Sequence, residues 1–305
     1  MQLRHLPLPL LAMPMGLGGL GLTWREAARH HGASALVGEA VMVLAVLAWG
    51  LLIGLHLLRA LRHPEAVAED WRHPVRASFF AAGTIGAMEV AAAFIPWAPG
   101  LARWLLLLAI AAHVGVALAL LARCIRGRGH VDMLAPPLLM PLVGHLVAAM
   151  FCAPLGLHML GWMLLGVGGL LWLLVMPLLL WRLIARPDLP PALRPSLAIF
   201  LAPPTVGTLA VASLAGVGPW VLALFGLSSF LLALLVLGLP YMLAAGFTPA
   251  LWSFTFPLAN FAAVMALVAP GWPAWAALLV VTGVIGVILA LTLRAAWDGR
   301  LLAPP

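Results

Sequence analysis

Charge is scarce in this 305-residue chain: 8% of residues are Asp, Glu, Lys or Arg, and 65% are hydrophobic. A soluble domain carries about a quarter charged residues, so a cytosolic enzyme and a disordered chain are both excluded. Cysteine is nearly absent, with Cys124 and Cys152 alone, which excludes a disulfide-stapled secreted scaffold. The two are expected near opposite membrane faces, too far apart to bridge. Lysine is missing altogether, and all sixteen basic residues are arginine. There is no H-E-x-x-H pair and no G-x-S-x-G elbow, so neither a zinc protease nor a serine hydrolase is signalled. His56, His63, His73 and His130 lie in or beside polar loops without a tight ligand spacing. They read as solvated histidines, so no metal, cofactor or catalytic residue is expected. Neither a soluble domain nor a low-complexity tail is visible.

What is present is a series of apolar runs, near 6–22, 35–61, 75–94, 101–122, 134–153, 156–181, 195–214, 217–240, 247–268 and 271–293. A bilayer span needs about 20 predominantly apolar residues. The pattern predicts an all-α integral membrane protein, residues 1–305 forming one domain of ten transmembrane helices. The first run follows Arg4 as a signal peptide would, but Pro7, Pro9 and Pro14 interrupt it and no small-x-small cleavage site precedes Trp24. It is read as a span. With ten spans both termini share one side, which then holds thirteen arginines, leaving Arg25, Arg29 and Arg103 opposite. The positive-inside rule puts both termini in the cytoplasm.

The spans alternate in kind. Odd-numbered spans carry Pro14 with Gly16, Gly18 and Gly19, then Gly83 and Gly86, Pro141 and Gly144, Pro203 and Pro204, and Pro257. Even-numbered spans are nearly free of proline, apart from Pro177 in the sixth. Proline removes a backbone donor and clashes with the preceding turn. In lipid the freed carbonyls need partners, so broken helices belong inside a bundle or along a water-filled path. At 1.5 Å per residue the breaks lie about 10–15 Å into their spans, at one shared depth. This predicts five helical hairpins about a pseudo-five-fold axis, with Pro14, Gly83, Pro141 and Pro203 lining a central pore. All five inner helices would present their N-termini, with the partial positive charge of the helix dipole, to the cytoplasmic mouth. Arg4, Arg76 and Arg194 stand at three of those starts, a mouth that concentrates anions. The interior path is expected to be almost uncharged, with Glu89 its only acid.

Several segments resemble the tellurite-resistance/dicarboxylate transporter family, which includes the bacterial TehA proteins and the plant slow-type anion channels. They are Leu6-Pro7-Leu8-Pro9 through Pro14-Met15-Gly16-Leu17, His73-Pro74-Val75-Arg76-Ala77-Ser78-Phe79, the Pro136 to Pro141 stretch, Leu193-Arg194-Pro195 with Leu201-Ala202-Pro203, and Trp252-Ser253-Phe254-Thr255-Phe256. The resemblance implies a homotrimer in a bacterial inner membrane, one pore per protomer, passing small anions such as chloride, nitrate, malate, sulfite or tellurite. It implies that Phe256 occludes the pore and that Ala12 faces it, where a glycine is frequent in the family. The chain departs from the pattern at His145, where asparagine is usual, at Glu89, where apolar residues are common, and at Gly83-Thr84, where a proline is frequent. His145 and Glu89 therefore raise a rival expectation, a proton-linked C4-dicarboxylate, tellurite or sulfite transporter of the same fold. Against it stands a neutral histidine and a protonated or paired glutamate packed between helices.

Overall fold

The computed structural model describes residues 3–303. Among the described residues every regular element is helical. The α-helices in chain order are α1 (Ala12–His30), α2 (Ala35–Arg62), α3 (Pro64–Arg72), α4 (Phe80–Ala93), α5 (Pro99–Ile125) and α6 (Leu139–Cys152). There follow α7 (His158–Ala185), α8 (Ala202–Ala215), α9 (Pro219–Leu237), α10 (Leu239–Met242), α11 (Thr255–Val268) and α12 (Trp272–Trp297). Eight helical stretches among the described residues are long and apolar enough to cross a membrane. The other two large helices differ: α1 carries Arg25, Glu26 and Arg29 in its last turns, and α4 has only 14 residues.

Five helices, α1, α4, α6, α8 and α11, each follow a 3-10 segment directly. Those segments are Leu8–Leu11, Arg76–Phe79, Pro136–Leu138, Pro191–Leu201 and Pro249–Phe254. The prolines mark the switch. Pro14, Pro141, Pro204 and Pro257 are each the third residue of their α-helix. There the N–H has no intrahelical α partner to lose, while the ring clashes with the carbonyl four residues back. The α-ladder therefore cannot extend backward, and the chain continues in the tighter winding. In α4 the third residue is Ala82, yet the switch recurs between Phe79 and Phe80; neighbouring helices impose what no proline encodes.

The glycines are not breaks. Helix α1 runs unbroken through Gly16, Gly18 and Gly19, and α4 through Gly83 and Gly86. They are points of close approach. A Cβ at Gly16 would overlap the Thr255 side chain, one at Gly18 would lie 2.8 Å from Glu89 Cβ, and one at Gly21 2.5 Å from Met42 Sδ. Three successive faces of α1 thus press against α11, α4 and α2.

Helix α1 packs on α4, α4 on α6, α6 on α8, α8 on α11, and α11 back on α1, so these five close a ring. Each is paired with the long helix that follows it: α1 with α2, α4 with α5, α6 with α7, α8 with α9, α11 with α12. The second members stand outside and expose large apolar side chains such as Leu47, Leu108, Leu173, Phe230 and Val287. In the apolar stretch of α9 11% of residues are buried, against 83% in the stretch containing α6. Such a continuous apolar exterior is a lipid-facing surface, and the chain is a multi-pass membrane protein.

The structure moves one charged residue. Arg25, expected in the loop after the first span, lies within α1 and is 6% exposed. Its Nε and Nη2 donate to Glu39 Oε1 and Oε2 at 2.8 and 2.7 Å, and Nη1 and Nη2 each donate to Ala93 O at 3.1 Å. The carboxylate and the open carbonyl end of α4 together make burial tolerable.

Candidate permeation path

Three cavities lie in sequence along the ring. At the arginine-rich end a vestibule of about 1150 Å³ is bounded by Leu8, Pro9, Phe79, Ala135 and Ala250, just before the 3-10 to α switches. At the other end a vestibule of about 720 Å³ is bounded by Gly19, Leu22, Ala92, Met150, Leu209 and Asn260. Between them is a chamber of about 40 Å³. All five ring helices reach it: Ala12 and Met15 from α1, Ile85 from α4, Leu139, Val143 and Val147 from α6, Pro203 and Val206 from α8, Phe256 and Pro257 from α11. No charged residue lines this chamber. The space shrinks to room for no more than a few waters where the ring is most apolar.

Phe256 is 4% exposed and stands in the chamber wall with Ala12 and Pro203. Its backbone is held on both sides. Thr255 Oγ1 donates to Trp252 O at 2.7 Å, Asn260 Nδ2 donates to Phe256 O at 2.8 Å, and Trp252 Nε1 donates to Thr292 Oγ1 on α12 at 3.0 Å. The ring itself lies against α1 at Gly19, where a Cβ would come within 3.4 Å of Phe256 Cδ2. Gly19, read from sequence as a helix breaker, is a point of close packing on α11, where a Cβ would meet Ala259 Cβ at 3.2 Å.

The other expected pore residues fall elsewhere. Pro14, Gly83 and Pro141 do not line the chamber. Pro14 lies beside Gly86 on α4, and Gly83 faces Ile53 and Leu11, its carbonyl accepting from Trp49 Nε1 at 2.9 Å. Their place in the first turn of a ring helix fixes their depth but not which way they face. Glu89 is 1% exposed, packed against Gly18, and its carboxyl oxygens have no partner among the described residues. His145 is stacked edge-on to His113 at 5.0 Å, and its Nδ1 bonds Leu142 O at 3.0 Å. Neither Glu89 nor His145 borders any of the three cavities. The His113 partner was not legible: Thr84 Oγ1 donates to Ala81 O and pairs with His113 Nδ1, both at 2.8 Å, across α4 and α5.

At the arginine-rich vestibule the mouth is less positive than the sequence suggests. Arg76 lies 3.0 Å from Asp70 Oδ1 and 3.2 Å from Glu69 Oε1. Arg59 Nη1 lies 2.7 Å from Asp70 Oδ2, and its Nε donates to Arg4 O at 3.0 Å. Arg194 is not in the vestibule wall: it stacks 4.1 Å over Tyr241 and donates to Leu189 O at 3.1 Å. Five arginines line the vestibule, with four acids beside them.

His73 ties this region together, its Nδ1 accepting from Val75 and Arg76 N–H at 3.1 Å each. Burial, then the Arg76 charge, holds His73 below the ordinary 6.5, against smaller opposing effects of Asp70 and Glu69. A base lowered on folding stabilises the fold while neutral and loses that contribution as the pH falls through and below its unfolded value. Thermal unfolding scanned from about pH 7 to pH 5 is therefore expected to show a falling midpoint, and His73→Asn should flatten the slope.

A family model described as SLAC1, voltage-dependent anion channel, matches residues 5–297. The chain is 28% identical over 267 residues to the tellurite resistance protein TehA homolog of Haemophilus influenzae, covering 84% of this chain and 79% of that protein. It is 25% identical over 321 residues to the guard cell S-type anion channel SLAC1 of Arabidopsis thaliana, covering 99% of this chain. It spans 58% of the length of that plant protein.

Proposed function

Since the chain belongs to the SLAC1 voltage-dependent anion channel family, we propose that it conducts small anions along the axis of the helix ring, with Phe256 as the occluding gate. In this reading α1 and α4 cross the membrane with the eight longer helices, giving ten spans in five hairpins. The arginine-rich face and both termini are then cytoplasmic, in a bacterial inner membrane. The observation that carries it is the 40 Å³ apolar chamber between two wide vestibules, walled by all five ring helices with Phe256 among its lining. An apolar constriction of this kind blocks by sterics and dewetting. Ring-helix N-termini at the basic vestibule favour anions over cations. The chamber has no fixed countercharge to hold a bound ion, which favours passage over capture.

The bacterial relative is named for tellurite resistance; the permeants proposed for this chain therefore include tellurite, beside sulfite, chloride, nitrate and malate. Proton coupling through Glu89 and His145 is the less favoured reading, since neither borders the chamber or either vestibule. Assembly as a homotrimer, each copy with its own path, is part of the same proposal. The test is the reversal potential of the purified protein in planar bilayers under chloride and malate gradients. Reversal should track the anion equilibrium potential at any proton gradient. Reversal at the cation potential, or transport that stops without a proton gradient, would refute the channel reading.

A further inference from the structure

The arginines of the basic vestibule are not equivalent. Arg59 and Arg76 share Asp70, Arg300 Nη2 lies 2.7 Å from Asp298 Oδ2, and Arg4 is exposed to water. Arg182, at the end of α7, is different. It is 8% exposed, yet among the described residues no carboxylate lies within ion-pair distance of it. Its neighbour in sequence Asp188 turns instead toward Arg194, at 3.8 Å. Arg182 Nη1 donates to Pro187 O at 3.1 Å, and its Nε is occluded without an acceptor among the described residues, which leaves Nη2 as its open donor. A guanidinium cannot shed its proton, and a buried, uncompensated charge is strongly unfavourable. Arg182 also borders the 1150 Å³ vestibule, so a compensating anion has a way in.

We propose that Arg182 is an anion-binding station on the vestibule wall, taking a carboxylate or oxyanion at Nη2, the guanidinium nitrogen that is neither hydrogen-bonded nor occluded among the described residues. A charge-assisted hydrogen bond from that nitrogen offsets the buried charge. The Pro187 carbonyl holds the neighbouring Nη1, fixing the orientation of the guanidinium. The site shares with the conduction proposal the premise that anions enter this vestibule, but occupancy is measurable without any flux. The same chemistry is offered by a free anion and by the phosphate of an anionic lipid headgroup.

The experiment is thermal unfolding of the purified full-length protein in non-ionic detergent, titrated separately with sodium nitrate, sodium malate and phosphatidylglycerol. A saturable rise in midpoint is expected for at least one of them, and the arm that saturates identifies the source. Arg182→Gln should abolish the saturable rise. Arg182→Lys, which keeps the charge and protects the fold, should raise the half-saturating concentration by about tenfold, because an ammonium on a different stem does not place a donor where Nη2 stands. Arg294→Gln, exposed and outside the vestibule wall, should titrate like the unmodified protein. No saturable rise in any arm, or an Arg182→Lys titration that matches the unmodified protein, overturns the site. Neither result depends on whether Phe256 gates a current.

Discussion

Phe256→Ala is expected to convert an almost silent protein into one with large anion currents. The chamber that this side chain borders has about 40 Å³ of free space, room for no more than a few waters. Removing the ring should widen it toward the 720 Å³ vestibule along the face of α1 at Gly19. Each decade of rate corresponds to about 1.4 kcal/mol of barrier, and expelling an aromatic ring from an ion's path is worth more than one such step. Conductance should therefore rise by at least about tenfold, measured as single-channel current or as anion efflux from vesicles. The substitution also removes packing, and a buried Phe→Ala change costs up to about 3–5 kcal/mol. A protein that remains folded, by its elution and unfolding midpoint, and yet gains no current would remove Phe256 from the gate.

Asp70→Asn should produce the largest loss of stability. Asp70 is 3% exposed and bridges Arg59 on α2 and Arg76 at the start of the second ring segment. Neutralising it leaves Arg59, 4% exposed, without a countercharge. Breaking a buried pair by removing one partner costs about 3–5 kcal/mol. The unfolding midpoint in detergent should fall accordingly, and Arg59→Met in the same chain should restore most of it. Failure of the second substitution to rescue would mean that Asp70 serves something other than charge balance.

Sequence periodicity and proline were enough to read an all-helical membrane protein and to mark most of the points where 3-10 winding gives way to α. Four of the five switches coincide with a proline because that residue forbids backward extension of an α-ladder, a local effect. Which side of the helix each residue turns to the axis is not local, so Ala12 and Pro203 reach the chamber while Pro14 and Pro141 do not. Glycine gave a misleading signal: it reads as a break in isolation and acts as a contact surface once helices pack. The buried charge networks were illegible for a related reason. Arg25 reads as a loop residue until Glu39, fourteen positions on, and the end of α4 supply its partners. Likewise, a count of arginines at the mouth cannot show that Asp70 and Glu69 together offset two of them.

The 3-10 stretch Pro191–Leu201 is eleven residues long, well beyond the three or four at which such winding usually stops. A 3-10 turn rises about 2.0 Å per residue against 1.5 Å for an α-turn. Wound at that rise, the eleven residues span about 22 Å, roughly 5 Å more than they would as an α-helix. With Pro195 inside the stretch and Pro204 barring backward extension of α8, this segment is a stretched spacer, carrying the 186–190 loop about one α-turn farther from the ring wall at Ile199 than α-winding of the same residues would.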